Sequence, residues 1–493
     1  MLLVISLILL ILFIFYHVYW KRRYLPPGPV PLPFLGNIIQ LYRVLPGYEA
    51  FLECKRTYGD VFTFWIGGNP YIIIASLDLM KETFVKDGDA YAEKSQHELQ
   101  LKMRGGSYGI IDTNGHLWRE HRRFALTTLR DFGLGKAVMQ EKILLEIRES
   151  FKNLQQLQGQ EVEVTEYLDR SVGNVINLVL FGYRFEGEKA WELDHMKGLI
   201  NYQTETFSKF SILLQSYIPI LRHLMPRPNI NDKIDEFKQK FYEFFNRQIM
   251  EHKENIDYDA VDNADFVEAY LKEQRKRERD GDAVTFCDLQ LSNVILDLWF
   301  AGLVTTTHTL SWAITYALNY PETIEKVQRE LDEVISSNRL ITTSDKNELP
   351  YLSAFINETQ RCANILPINV LHRTARDTVI RGYPIKQSTG VIAQISTVML
   401  DEKVFPEPYQ FNPDRFIENG KLKRIEELIP FSIGKRQCLG EGLARMELFL
   451  FLANFFNQFK ICPSSEGLPS MSKNHDFSMK PKSFKVVLHS RFL

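Results

Sequence analysis

Cysteine is scarce in this 493-residue chain, and its five cysteines form no pairs. None of them stands in a Cys-x-x-Cys motif, which argues against a zinc site or a disulfide framework. The odd number and wide spacing are typical of a reducing compartment, where a thiol stays free to act as a ligand. The five are Cys54, Cys287, Cys362, Cys438 and Cys462.

An excess of charge of one sign is also missing, since 59 basic and 61 acidic residues give a net charge of -2. Nothing global therefore points to a nucleic-acid partner. No internal repeat and no linker rich in Pro, Gly and Ser divides the interior, which favours one large catalytic unit. No Gly-rich dinucleotide fingerprint follows a predicted strand, so the chain itself is not expected to bind a dinucleotide.

Residues 1–20 contain no Lys, Arg, Asp or Glu, and a basic triplet at 21–23 and a proline-rich stretch at 26–29 follow them. Twenty helical residues span about 30 Å, the thickness of a bilayer core. We predict a transmembrane anchor at 1–20, a basic stop and proline-rich elbow at 21–36, and a catalytic domain at 37–493. The flanking basic residues predict a lumenal N-terminus and a cytosolic body. A buried core helix is the alternative.

The body predicts a mainly α fold with small β elements at both ends. Two runs of β-branched and aromatic residues, 61–65 and 71–75, predict a hairpin, and 483–489 predicts a late strand. Between them the apolar periodicity is helical, with one long helix over about 289–318. The charged stretch 271–282 predicts a solvated connection. The apolar stretch 207–224 predicts either core or a second membrane contact.

One ten-residue stretch near the C-terminus, Phe-Ser-Ile-Gly-Lys-Arg-Gln-Cys-Leu-Gly at 431–440, predicts a thiolate ligand loop. A thiolate needs positive charge and backbone N–H donors, which Lys435, Arg436 and the flexible glycines can supply. Gly434 and Gly440 would let the backbone pass close to a flat macrocycle. The alternative is a free, buried cysteine that acts as a small hydrophobe.

The spacing of Phe431, Gly434, Arg436 and Cys438 resembles the haem-binding loop of the cytochrome P450 family. The resemblance implies that Cys438 is the axial ligand of the iron of haem b and that Phe431 lies beside the cofactor. It also implies the mainly helical haem-thiolate fold with a small β lobe, preceded by one transmembrane helix. The matches cover nearly all of the chain and are most like the microsomal, drug- and lipid-oxidising animal branch.

Four further residues match the family's contacts to the haem propionates. Trp118 and Arg122 share one helical face at i, i+4 spacing, and His372 and Arg436 come from other segments. Propionates are carboxylates and need such donors. Taken alone, Trp118 is read as a core aromatic and His372 is uninformative. Glu358, Arg361 and Arg415 match a three-membered buried network that is expected to hold the chain beneath the haem and fix the cysteine loop.

The distal side of the haem is expected at Ala301, Gly302 and Thr305 within the long helix. Gly302 would thin the helix where dioxygen fits, and the Thr305 hydroxyl would donate to oxygen or to a proton-delivering water. The family usually has an acid where this chain has Val304, so we expect slower or less coupled oxygen activation. Product formed per NADPH before and after Val304→Glu tests this. Asp297, about two turns earlier, is the expected substitute, and a hydroxyl that only bonds back to the helix is the alternative.

The resemblance implies a membrane-bound monooxygenase that inserts one oxygen atom of O2 into an apolar fatty acid, steroid or xenobiotic. The expected partners are NADPH-cytochrome reductase, with cytochrome b5 as a possible second donor, and the location is the endoplasmic reticulum membrane. A basic patch of Arg119, Arg123 and Lys435 would steer an acidic donor. Two alternatives are a haem-thiolate isomerase or dehydratase that uses peroxide substrates, and a turnover-deficient membrane haem or ligand binder.

Overall fold

Helices make up most of the computed structural model, which describes residues 2–44, 46–133, 137–207, 209–217, 221–224, 229–473 and 478–492. The helices are α1 Leu2–Val18, α2 Ile38–Arg43, α3 Glu49–Tyr58, α4 Leu77–Met80, α5 Glu98–Arg104, α6 Gly115–Asp131, α7 Ala137–Gln156, α8 Val164–Leu180, α9 Ala190–Phe207, α10 Phe210–Tyr217, α11 Leu221–Leu224, α12 Ile230–Asn255, α13 Phe266–Arg279, α14 Asp288–Asn319, α15 Pro321–Val334, α16 Pro350–Ala363, α17 Ser396–Met399 and α18 Glu441–Gln458.

The strands are short and gather into small sheets. They are β1 Val61–Ile66, β2 Asn69–Ile74, β3 Glu93–Lys94, β4 Glu161–Val162, β5 His372–Arg373, β6 Thr378–Ile380, β7 Tyr383–Ile385, β8 Gly390–Ala393, β9 Ile417–Glu418, β10 Lys421–Leu422, β11 Phe459–Pro463 and β12 Val486–Ser490. The largest sheet has the order β1-β2-β8-β5-β3, and a second joins β11, β12 and β4. Mainly helical architecture with small β elements at both ends is therefore confirmed.

The central element is α14, whose 32 residues contain the predicted long helix. It packs against α8, α12 and α18, and its apolar residues are buried on several sides. Several of its hydroxyl-bearing residues bond back to carbonyls one turn earlier, so a buried helix can carry these hydroxyls with their donors paired. The Ser311 hydroxyl, for example, donates to the Thr307 carbonyl at 2.8 Å.

The five-stranded sheet brings distant segments together. The predicted hairpin is confirmed, with Val61 opposite Ile74 in an antiparallel β1–β2 pair. β8 adds to β2 in parallel, and β5 and β3 then extend the sheet. In the last pair Lys94 lies opposite His372, two residues that are 278 positions apart in the chain. This register places a lysine beside a predicted haem contact.

The N-terminal helix carries its apolar residues outward, and Leu3–Arg22 is long and apolar enough to span a membrane, with none of its most apolar window buried. Asp288–Asn319 passes the same test but is 67% buried, as expected of a core helix. The proline-rich elbow lies against the sheet. The Thr63 backbone N–H donates to the Pro27 carbonyl at 2.8 Å, and the Thr63 hydroxyl donates to the Pro26 carbonyl at 2.7 Å.

Residues 271–282 are mostly helical, which corrects the expected connection. They form the end of α13, which begins after Asp265, whose side chain accepts the Glu268 N–H. The last turn is largely exposed, so the solvated character of the stretch is as predicted. The apolar stretch 207–224 contains the short α10 and α11, and residues 208 and 218–220 lie outside the described residues. Its role as core or membrane contact stays a prediction.

Candidate active site

One cavity of about 320 Å³ lies where α14, α6, α18 and the cysteine loop meet. It brings together residues that are far apart in the sequence. The predicted residues that line it are Trp118, Arg122, Asp297, Ala301, Gly302, Thr305, His372, Phe431, Arg436 and Cys438. Apolar side chains, including Ile110, Ile111, Leu180, Leu298, Ile365 and Val370, line the remainder.

The cysteine loop is held in shape by its own backbone. The Cys438 N–H donates to the Phe431 carbonyl at 3.1 Å, and the Gln437 N–H donates to the Gly434 carbonyl at 3.0 Å. Gly434 has a φ of 87°, and a Cβ there would collide with the Phe84 carbonyl oxygen. Only glycine fits that position. The role of Gly434 is thus to let the loop pack against neighbouring backbone.

The Cys438 sulfur lines the cavity, so a ligand in the cavity can reach it. Desolvation raises the pKa of the Cys438 thiol, while the backbone N–H groups of Gly440 and Glu441 and the Arg122 guanidinium favour the thiolate. Lys435 was expected to stabilise the thiolate by its charge. It instead forms an ion pair with Asp89 at 2.5 Å, so the N–H groups of Gly440 and Glu441 and the Arg122 guanidinium take that role. A metal bound to the sulfur would complete the stabilisation of the thiolate.

Three cations on the cavity wall have only neutral hydrogen-bond partners among the described residues. The Arg122 guanidinium donates to the Gln437 carbonyl at 2.6 Å, and Lys94 donates to His372. Arg436 donates to the carbonyls of Ala92 at 2.7 Å and Thr113 at 2.5 Å. Burial lowers the pKa of Arg436 to about 9, with the nearby Arg122 as the second cause. Burying a cation without a counterion costs free energy, so these three residues favour the binding of an anion at this wall.

Lys94 and His372 form the innermost part of this wall. The His372 Nδ1–H donates to the Tyr91 carbonyl at 2.7 Å, which leaves Nε2 to accept from Lys94 Nζ at 2.7 Å. Burial, followed by the charge of Arg436, lowers the pKa of Lys94 well below its usual range. Burial and the charge of Lys94 likewise lower the pKa of His372. An added carboxylate here would restore the charge on Lys94.

Two further observations show that the cavity suits a flat, dianionic macrocycle. The Trp118 Nε1–H is buried without a hydrogen-bond partner, and the Arg436 guanidinium lies 3.8 Å from the centre of its ring. A Cβ on Gly440, which lines the cavity, would meet no protein atom within 4 Å. The two propionates of haem b would supply acceptors for Trp118, Lys94 and the guanidinium groups. The residues present therefore fit haem.

A family model described as "Cytochrome P450" matches residues 26–488. The chain belongs to the cytochrome P450 family. It is 34% identical to "Cytochrome P450 2B19" of Mus musculus over 94% of each chain. It is 33% identical to "Cytochrome P450 2B15" of Rattus norvegicus over 95% of this chain and 94% of the relative. With "Cytochrome P450 2H1" of Gallus gallus the identity is 34% over 89% of this chain and 87% of the relative. The protein is a P450 monooxygenase with the haem-thiolate fold.

The distal helix of this P450 presents Ala301, Gly302 and Thr305 to the cavity. The Thr305 hydroxyl donates to the Ala301 carbonyl at 2.7 Å, which is the back-bonding alternative to a hydroxyl aimed at a ligand. A Cβ on Gly302 would lie 3.1 Å from Ile176 of α8, so the glycine allows α8 and α14 to pack closely. Val304 is buried in the apolar core. The expected weaker coupling stays a prediction.

The Asp297 carboxylate has three hydrogen-bond partners, and its expected role as a proton relay stays a prediction. Arg104 Nη2 donates to its Oδ1 at 2.5 Å, and the N–H groups of Ile110 and Ile111 donate to its Oδ2 at 2.7 and 2.9 Å. Burial raises the pKa of Asp297, and the Arg104 charge acts against that rise. The carboxylate thus holds the 110–111 segment at the cavity.

The Glu358 network has the predicted geometry but stands away from the cavity wall. The Arg361 Nε donates to Glu358 Oε2 at 2.7 Å, and the Arg415 Nε donates to Glu358 Oε1 at 3.0 Å. Both arginines also donate to carbonyls, including Pro408 at 2.8 Å and Pro406 at 3.0 Å. The three residues therefore fasten the 399–415 segment to α16, and the described residues show no direct contact between them and the cysteine loop.

The surface around the cysteine loop is mixed in sign, which corrects the expected basic patch. Asp89 lies 3.5 Å from Arg119 and 2.5 Å from Lys435, and Glu120 lies 3.3 Å from Arg123. Such exposed pairs contribute little to stability and exchange partners readily. An acidic electron donor would compete with Asp89 and Glu120 for these cations.

Two titratable residues of the cavity wall, Lys94 and Glu447, have no counterpart among the sequence predictions. Lys94 belongs to a two-residue strand, which gives no periodic signal, and only the β3–β5 register reveals its place. Glu447 lies in α18 and is 2% exposed. Its signal in the sequence is that of a single acid directly before the apolar run Leu-Phe-Leu-Phe-Leu, where a charged side chain is unusual.

Proposed function

We propose that the protein is a monooxygenase of the endoplasmic reticulum membrane that oxidises apolar organic substrates with electrons from NADPH. The electrons arrive through NADPH-cytochrome reductase, and cytochrome b5 is a second candidate donor. The single observation that carries this proposal is the shared cavity, in which Cys438 and the propionate-binding cations face the helix segment that carries Thr305. Haem bound there supplies the activation of dioxygen.

The chain's own residues would bind the cofactor and the substrate. Cys438 would hold the iron, and Lys94, Arg122, His372, Arg436 and Trp118, which line the same cavity, would hold and orient the propionates. The apolar wall excludes water and binds the substrate by burial, which supports fatty acids, steroids or xenobiotics as the substrate class. Ala301 and Thr305, which line this cavity, would contact the substrate and dioxygen. The overall reaction consumes RH, O2, NADPH and a proton, and yields ROH, water and NADP⁺.

The proposed topology rests on the apolar N-terminal helix and the basic residues after it. Residues 1–20 would cross the membrane, 21–36 would form the basic stop and elbow, and 37–493 would form the cytosolic catalytic domain. Lys21 supports a fixed junction, because its Nζ donates to the Gly68 carbonyl at 2.7 Å and lies 4.4 Å from the centre of the Trp65 ring. Through these contacts of Lys21, the end of the proposed anchor is held against the five-stranded sheet.

The test is product formation by the full-length protein in vesicles with purified reductase, NADPH and dodecanoic acid as the apolar probe. We expect hydroxydodecanoic acid that depends on NADPH, reductase and O2 together. Turnover of a lipid hydroperoxide without reductase, combined with no NADPH-dependent product, would establish the isomerase or dehydratase instead. Ligand-induced spectral shifts with no product under any electron supply would establish a binding protein.

A further inference from the structure

A second cavity, of about 800 Å³, lies against α16 and is called the α16 groove here. Its described lining comes from the 77–86 segment, from α16 and α18, and from the 422–433 segment. Cys438 is not part of that lining, and the cations that fit the haem propionates are not part of it either. Its volume is within the range of small-ligand sites, and the proposed monooxygenase reaction makes no use of it.

The α16 groove has an excess of positive charge. Its described lining contains two acids and six cations, which are Lys81, Lys86, Lys346, Lys423, Arg424 and Arg445. Three of the cations have an acidic partner, since Lys81 pairs with Glu426, Arg445 with Glu441 and Lys423 with Glu418. The other three form no ion pair among the described residues, and they are Lys86, Lys346 and Arg424. The groove is therefore complementary to an anion.

Two polar side chains of the groove are buried without a hydrogen-bond partner. Ser353 is 5% exposed and Gln360 is 7% exposed, and both line the groove. Ser353 Oγ and Gln360 Oε1 have no partner among the described residues. The two residues are seven positions apart in α16, so they lie two turns apart on one face of the helix. A buried polar group without a partner costs free energy, which a ligand that bonded to it would recover.

Lys346 lies close to a second cation. Its ammonium group is 5.7 Å from the centre of the Phe449 ring. The side chain is partly open to solvent, and desolvation, followed by the charge of Arg445, lowers the pKa of Lys346. A carboxylate bound at these two residues would favour the charged form of the lysine.

The remainder of the groove is largely apolar. Its apolar lining residues are Leu77, Val85, Ile356, Leu422, Ile425, Leu428, Ile429, Pro430, Phe431, Ile433 and Phe449. An inorganic anion would leave this surface uncovered, and a neutral apolar ligand would leave the cations without a counterion. A ligand with one negative charge and a long apolar chain satisfies both parts of the lining.

We propose that the α16 groove is a binding site for a free long-chain carboxylate, separate from the haem cavity. The carboxylate group would contact Lys346 and Ser353, and the chain would pack on the apolar lining. A free fatty acid is the expected occupant, because a buried hydroxyl suits a small head group. Phe431, Ser432 and Gln437 line both cavities, so the occupant would contact the loop that carries Cys438.

The experiment measures binding to the full-length holoprotein in phosphatidylcholine nanodiscs. Excess 1-phenylimidazole keeps the haem cavity filled, and the absorption spectrum shows that it stays bound. Equilibrium dialysis of radiolabelled dodecanoate, with protein-free discs subtracted, then reports the second site alone. We expect one saturable site per chain, and we expect dodecanol to bind about tenfold more weakly because it has no charge for Lys346.

Two variants test the residues at the carboxylate. Lys346→Gln should weaken dodecanoate binding about tenfold, since it removes a charge-assisted hydrogen bond. Ser353→Ala should weaken it roughly fivefold, since it removes a neutral donor. Lys326→Gln is the matched control, because Lys326 also lies near an aromatic ring, 5.4 Å from the centre of Tyr351, and is outside the described groove lining. The carbon monoxide spectrum of each variant checks that it retains haem.

A photoreactive dodecanoate with a diazirine near the end of its chain locates the site. Peptides from 346–360 and 422–433 should carry the adduct in the parent and in Lys326→Gln, and should carry much less of it in Lys346→Gln. Adducts confined to the haem cavity or to the N-terminal helix would overturn the proposal.

Three further outcomes separate the possible ligands. Equal affinity for dodecanoate and dodecanol, or equal dodecanoate affinity in the parent and Lys346→Gln, would overturn recognition of the carboxylate. Displacement of dodecanoate by phosphatidylserine added to the discs would overturn the free acid and assign the groove to an anionic lipid. Because binding is measured without turnover, a parent that makes no NADPH-dependent product would contradict the monooxygenase and leave this site intact.

Discussion

At the residue scale, the fold lowers the pKa of Lys94, and a bound carboxylate would raise it again. Its ammonium group is buried beside His372 and repelled by Arg436. In that setting the pKa of Lys94 is lowered, whereas a propionate beside it would favour the charged form. Haem binding at this wall should therefore be accompanied by proton uptake.

The sign of this linkage gives a prediction. The pKa of Lys94 is lowered without a counterion and rises when a propionate is bound, so the haem-bound state holds more protons. Haem affinity should then weaken as pH rises towards the usual lysine pKa of 10.5. We expect Lys94→Gln to weaken haem retention about tenfold at neutral pH, the effect of one charge-assisted hydrogen bond, and to flatten the pH dependence.

Transfer of haem to excess apomyoglobin, followed at several pH values, measures both effects. Lys94→Arg serves as the control, because it keeps the charge at neutral pH. Equal pH dependence in the parent and in Lys94→Gln would show that Lys94 does not face a propionate.

At the scale of the elements, α16 is joined to the 399–415 segment by the Glu358 network. Glu358 and Arg361 are fully buried, so each charge depends on its partner. We predict that Glu358→Gln destabilises the protein by about 3 to 5 kcal/mol, because two buried guanidinium groups lose their carboxylate. The midpoint of urea unfolding and the haem content per chain measure this loss.

The matched control is Asp414→Asn, which removes an ion pair between Asp414 and Lys326 that is about half exposed on both sides. Such a pair contributes about 0 to 1 kcal/mol. If Glu358→Gln lowers the free energy of unfolding no more than Asp414→Asn does, the Glu358 network does not stabilise the packing of the 399–415 segment on α16.

The same scale explains which parts of the fold and the site were predictable. The hairpin, α14, the cysteine loop and the Glu358–Arg361 pair depend on residues close in the sequence, so period, turn and spacing reveal them. The Asp297–Arg104 ion pair joins positions that are 193 residues apart, so no local sequence pattern predicts it. The place of Lys94 is hidden from the sequence for the same reason, since it depends on which segment the tertiary fold places opposite it.

At the scale of the whole molecule, the apolar N-terminal helix and the catalytic body form separate packing units. None of the most apolar window of Leu3–Arg22 is buried, while the body has its own core around α14. We predict that deletion of residues 3–20 moves the protein from the pellet to the supernatant after alkaline carbonate extraction of membranes, and leaves haem binding unchanged. A truncated protein that stays in the pellet would contradict a single N-terminal anchor.

The central claim is that Cys438 binds the haem iron as a thiolate in the cavity beneath α14. The most direct measurement is the difference spectrum of the reduced protein with and without carbon monoxide, taken for the parent, Cys438→Ser and the control Cys462→Ser. We predict the red-shifted Soret band of a thiolate-ligated haem in the parent and in Cys462→Ser, and its loss in Cys438→Ser. A parent without that band, or a Cys438→Ser variant that keeps it, would contradict the account.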